Sequence, residues 1–160
     1  MMTNLIFKAT IRNYAEAVNF LAGCETRALA YKTVVRDRGD GEHVDILHHG
    51  SIIATFYSGA TPGGPMSQSH SVPVVRIRNA GWASRSTAER MHRIARAVME
   101  ATDTPKWVSV NTQGGRTNVV VGSGPTSGEG TATYRLGGAA FAIFADGEAR
   151  VQVDVERHAA

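Results

Sequence analysis

The stretch that most constrains this chain is residues 72–102, VPVVRIRNAGWASRSTAERMHRIARAVMEAT, which contains its only long amphipathic helix pattern. Val72 to Arg78 alternates as a strand, with Val74, Arg76 and Arg78 on one face and Val75 and Ile77 on the other. Asn79-Ala80-Gly81 bends the chain and Trp82 follows. Ser86-Thr87-Ala88-Glu89 reads as a capping box, with Ser86 at the N-cap and Glu89 three residues on. Met91, Ile94, Ala95 and Val98 then form an apolar stripe, and Glu89, Arg93, Arg96 and Glu100 lie opposite. Asp103-Thr104-Pro105 ends the helix. One such helix can cover only part of a sheet, so the remaining strands must pack around it.

Those strands are short and punctuated. Residues 4–12 read as a first strand; Asn13 caps a helix over 14–22, with Glu16 as the reaching carboxylate and Gly23 as the stop. Residues 28–36, 43–48 and 51–57 form a three-stranded antiparallel meander with turns at 37–41 and at His49-Gly50. After the central helix, strands are expected at 106–111, 117–121, 131–136, 140–145 and 148–155; Asp146-Gly147 gives the sharpest hairpin signal. Residues 58–71 and 122–130 carry loop chemistry and are expected to be flexible. The expectation is a single α+β domain over 1–160, with a mainly antiparallel sheet of about eight to nine strands, one short N-terminal helix and one longer central helix.

Composition narrows the class. Hydrophobic content of 42% and charged content of 19% fit an ordinary globular domain that builds its core without staples. A net charge of +3 permits nucleic-acid contact and argues against an acidic DNA mimic. One cysteine, Cys24, excludes a disulfide framework and reads as a small buried hydrophobe. The N-terminus lacks the order of a signal peptide and no apolar run reaches the roughly 20 residues of a membrane span, so no membrane partner and a cytoplasmic location are expected.

Two groups of side chains invite chemistry. His48 and His49 beside Asp45, with His43 nearby, are candidate general bases or metal ligands. Strand parity separates His48 from Asp45 and His43, so a metal would need a further ligand such as His70 or His92. No metal or other cofactor is therefore assigned. The second group is basic: Arg76, Arg78, Arg85, Arg90, Arg93 and Arg96. On the helix, Glu89 pairs with Arg93 and Arg96 with Glu100 at four-residue spacing, which leaves Arg76, Arg78, Arg85 and Arg90 as a candidate anion-binding set. Trp82 joins them as an aromatic able to stack on a base, or else plugs the gap between strand and helix. No phosphate loop and no G-x-S-x-G elbow occurs.

Leu29-Ala30-Tyr31-Lys32-Thr33, then Leu47 to Ala54, then Ala80 to Arg90 together resemble a group of small tailed-bacteriophage proteins without an assigned activity. Members typically show a tyrosine-threonine strand, a histidine-containing hairpin, and a Gly-Trp corner leading through Ser/Thr into an arginine-bearing helix. The likeness covers roughly residues 28–95 and departs at 58–71 and after Thr102. It implies a phage or prophage accessory protein acting in the host bacterial cytoplasm. The resulting expectation is a non-enzymatic binding module for a host or phage macromolecule, nucleic acid or another anionic partner. The alternatives are a small metal-assisted hydrolase or nuclease on the His48-His49 hairpin, and a virion assembly component that forms homo-oligomers.

Overall fold

A computed structural model describes residues 7–60, 72–79, 84–124 and 130–153. Two helices and ten strands lie among them: α1 (Tyr14–Leu21), β1 (Thr26–Ala30), β2 (Thr33–Asp37), β3 (His43–His48), β4 (Ser51–Tyr57), β5 (Val75–Ile77), α2 (Arg85–Glu100), β6 (Val108–Gln113), β7 (Arg116–Val121), β8 (Ala132–Arg135), β9 (Ala139–Ile143) and β10 (Ala149–Val153). A single 3-10 turn, Ser58–Ala60, follows β4. The strands form a seven-stranded sheet in the order β1-β2-β3-β4-β5-β9-β10 and a three-stranded sheet β6-β7-β8. Every pairing is antiparallel. The α+β class and the two helices match expectation.

Local chemistry explains the departures. The expected strand at 28–36 is two strands, because Lys32 turns the chain with φ +56° and Ala30 pairs with Thr33. A left-handed lysine carries no sequence signal, since glycine or asparagine is the usual occupant. Of the expected strand at 4–12, residues 1–6 lie outside the described region and 7–12 are not a strand; Lys8 makes a single backbone bond to Leu29. The strand expected over 72–78 shortens to Val75–Ile77, although Val74 and Arg78 still bond to Ile143 and Ile53 at its ends. The 58–71 and 122–130 loops fall mostly outside the described residues, as does Trp82.

The capping box is displaced. Helix α2 starts at Arg85, and Ser84, not Ser86, is its N-cap, accepting from the Thr87 amide at 3.2 Å. Glu89 therefore misses the capping position and pairs back with Arg85 at 3.4 Å, rather than forward with Arg93. Arg96 does pair with Glu100, at 3.3 Å. The stripe of Met91, Ile94, Ala95 and Val98 is buried as expected. It joins Val35, Ile46, Phe56, Ile77, Phe141 and Ile143 from the large sheet in one core. Cys24, expected inside, is exposed. It follows α1, whose left-handed C-cap is Ala22, at φ +50°, one residue before the expected glycine stop.

Candidate anion-binding face and a buried histidine node

Residues opposite one another in paired strands share a face. The register links Arg36 to Asp45, Asp45 to Thr55, Thr55 to Arg76, Arg76 to Ala142 and Ala142 to Arg150. These six residues form one row across β2, β3, β4, β5, β9 and β10. At about 4.8 Å per strand the row is about 24 Å long. Arg38 and Arg78 continue the same face two residues beyond Arg36 and Arg76. Asp45 is the one carboxylate that the described strands place there.

Asp45 is fully buried and accepts from Arg38 Nε at 2.8 Å, Arg38 Nη2 at 2.8 Å, Thr55 Oγ1 at 2.8 Å and Arg36 Nη2 at 3.2 Å. Burial alone would raise its pKa; the hydrogen bonds from Arg38 and Thr55 and the Arg38 charge outweigh burial, so it lies below the ordinary carboxylate value. Arg78 Nη1 donates to Thr55 Oγ1 at 3.2 Å, tying that buried arginine into the same network. Arg76 donates from Nε to Gln152 Oε1 at 2.9 Å and lies over the Tyr57 ring at 5.0 Å. Arg150 is exposed and sits over Phe144 at 4.3 Å. Arg36, Arg76 and Arg150 are the members of the row that reach solvent.

The opposite face carries a different polar node. His48 is 4% exposed, with Nδ1 3.3 Å from Thr33 Oγ1 and Nε2 3.2 Å from Ser86 Oγ. Arg90, expected on a binding surface, is buried here and donates to Thr33 Oγ1 at 2.6 Å, the Ser86 carbonyl at 3.0 Å and the Tyr31 carbonyl at 2.9 Å. Three neutral acceptors from two segments, the β1–β2 hairpin and the start of α2, thus occupy its guanidinium, and it clamps helix to sheet instead of facing a ligand.

The shorter hydrogen bonds assign the proton of His48 to Nδ1. A threonine hydroxyl has one proton to give and two lone pairs. The Thr33 hydroxyl gives its proton to the Tyr31 carbonyl at 3.0 Å, the shorter of its contacts with a possible acceptor. Its lone pairs take Arg90 Nε–H and His48 Nδ1–H. Nε2 is therefore the bare nitrogen, and Ser86 Oγ–H donates to it. Burial first, then the charge of Arg90 and the neighbouring His49, push His48 down to about 4, against a bond with the Lys32 backbone, so the ring is neutral at pH 7.

The remaining candidates separate. His49 is exposed at φ +52°, its ring 4.3 Å from that of His48, but Asp45 is on the far face and locked by arginines. The three do not converge on a metal. His92 is occupied, its Nδ1 accepting from the Val110 amide at 3.0 Å, and its pKa is lowered by burial and then by Arg96 and Arg93. His70 and Trp82 lie outside the described residues. Arg85 is exposed on α2, outside the strand row, and faces Glu89.

One group that sequence reading passed over is Asp40, Glu42 and His43, whose ligand atoms fall within 4.8 Å of one another. Two of its three members are bonded to each other: Asp40 accepts from the Glu42 and His43 amides at 2.8 and 2.9 Å and from His43 Nδ1 at 2.6 Å. Slight burial opposes those bonds, which hold Asp40 down at about 2. No helix among the described residues is long and apolar enough to cross a membrane. Comparison of the chain with protein-family models, curated proteins and solved structures returns no match.

Proposed function

We propose that the chain is a phage-type accessory protein of the bacterial cytoplasm that binds an anionic macromolecule, with nucleic acid as the favoured partner. The observation that supports this is the alignment of Arg36, Arg76 and Arg150 in one cross-strand row served by a single carboxylate. A rigid sheet holds the three guanidiniums at fixed spacing over about 24 Å, close to the reach of seven nucleotides of one strand at about 3.4 Å each. Arginine suits the task, since its planar fork takes phosphate oxygens two at a time. Arg76 and Arg78, read from sequence, remain part of this face; Arg36, Arg38 and Arg150 join them, and Arg85 and Arg90 leave it.

The test is filter binding to a labelled single-stranded oligonucleotide across a salt series. Three phosphate contacts give a slope of log K against log salt of about −2 on a single strand, or about −2.7 on duplex. Replacing Arg36, Arg76 and Arg150 by alanine together flattens the slope, with the melting temperature measured in parallel. Absence of retention at low ionic strength removes nucleic acid as the partner.

A further inference from the structure

Beyond that binding face, and independent of it, we infer that Ser86 is a base-assisted nucleophile that accepts an acyl group from an activated carboxylic ester. The geometry is that of a serine-histidine pair: Ser86 Oγ lies 3.2 Å from His48 Nε2, across 38 residues of sequence. The tautomer is set by the Thr33 hydroxyl, whose lone pairs are taken by Arg90 Nε–H and His48 Nδ1–H, so the base nitrogen that faces Ser86 is bare. Thr33 and Arg90 position His48 as a third group orients the base in other nucleophile-base pairs. His48 is buried while Ser86 is half-buried, so the pair sits at the edge of the core with its base shielded. Ser86 is also the second residue of the 16-residue α2, where the positive end of the helix dipole favours a developing oxyanion.

The step balances. Ser86 Oγ attacks the ester carbonyl carbon as its proton passes to His48 Nε2. The new Oγ–C bond forms, the C–O bond to the leaving alcohol breaks, and the leaving oxygen takes the proton back from Nε2. The products are acyl-Ser86 and the free alcohol, with His48 neutral again. Thr33 stands where a catalytic triad holds a carboxylate, with the Arg90 guanidinium behind it, so the transient imidazolium is disfavoured. That restricts the reaction to esters with good leaving groups.

The experiment uses the full chain with p-nitrophenyl acetate, followed by intact-mass spectrometry and peptide mapping. The expected result is a single acetyl adduct on Ser86, absent from Ser86→Ala. The charged or titratable groups around His48 are Arg90 from α2 and His49 from the turn, with Lys32 next in the β1–β2 turn. Burial holds His48 down at about 4, so the base is already free near neutrality. The acylation rate of the unmodified chain is therefore flat between about pH 5.5 and 8.5. His48→Gln is expected to slow acylation by about a hundredfold or more; if that variant fails to fold, the pH profile of the unmodified chain still decides. No adduct on Ser86, or adducts scattered over several residues with a rate proportional to hydroxide, overturns the inference.

Discussion

Replacing Asp45 by asparagine is the perturbation whose magnitude follows most directly from the structure. The side chain is fully buried and receives four hydrogen bonds, three of them from arginines. Asparagine keeps the shape but turns one acceptor oxygen into an amide donor aimed at guanidinium donors, and it removes the one negative charge that the described strands place on that face. Breaking one partner of a buried pair costs about 3–5 kcal/mol. The arginines temper this, because the Arg36 side chain is 38% exposed and that of Arg38 21%, so both can turn partly toward water. The lower end, about 3 kcal/mol, is therefore expected, and for a chain of this size it corresponds to a fall in Tm of about 6–12 °C.

The same geometry ranks the arginines. Arg38 makes a two-pronged contact at 2.8 Å on each prong, whereas Arg36 makes one at 3.2 Å. Arg38→Gln should cost more than Arg36→Gln, which belongs with surface pairs of about 1 kcal/mol or less. The acid limb carries the sign. Asp45 has a folded pKa below its unfolded value, so its contribution is present above the unfolded pKa of about 4 and is lost as pH falls through the folded value. Thermal melts of the three variants from neutral pH down to about pH 3 measure both effects. A drop of less than about 2 °C for Asp45→Asn, or an Arg36→Gln effect as large as that of Arg38→Gln, refutes the reasoning.

His48 adds a loss of the same sign at higher pH: its folded pKa of about 4 lies below the free value of 6.5, so stability is full above 6.5 and declines as pH falls toward 4. Its ring protons should stay unshifted in an NMR titration from pH 8 to about pH 5, and an ordinary titration near 6.5 contradicts the buried node. Gly147→Ala should cost about 2–4 kcal/mol, because φ is +97° and a Cβ there runs into the Thr104 carbonyl. Gly41→Ala, at φ +74° with open space around it, should cost about 1 kcal/mol, and equal Tm losses for the two would show that the Thr104 contact is relieved at no cost.

Legibility in the sequence followed the range of the interaction. The central helix and its buried stripe were readable because their period repeats within 16 residues, and the Asp146-Gly147 hairpin because its turn residues are specific. The cap was misplaced by two because Ser84, Ser86 and Thr87 are all competent to cap, and only the start of the helix chooses among them. Lys32 hid a hairpin for want of a glycine. The arginine row was partly invisible because Arg36 and Arg150 meet Arg76 only through three or two intervening strand pairings. One signal was available: Asp45 interrupts the run His43–His48, and a carboxylate inside a buried strand requires a cation opposite it. The pairing of Ser86 with His48 left no such mark, since hydroxyls are common at the start of a helix.

Both candidate sites depend on one strand pairing. In β2–β3, Arg36 stands opposite Asp45 on one face and Thr33 stands opposite His48 on the other. The two pairs are three positions apart, an odd number, which is why they emerge on opposite faces. A slip of one residue between these strands would turn Asp45 into the apolar core beneath α2 and swing His48 away from Ser86. It would cost an unpaired buried charge on one side and an unsatisfied imidazole on the other. Neither polar pair is needed to make the sheet hydrophobic enough to fold, because Val35, Val44, Ile46 and Phe56 already supply that face. What the pairs add is register. The arginine spacing on one face and the serine-histidine distance on the other are thereby set together, so a substitution that frees β2 from β3 should damage binding and acylation at once, whereas substitutions at Arg150 or Ser86 should damage only one.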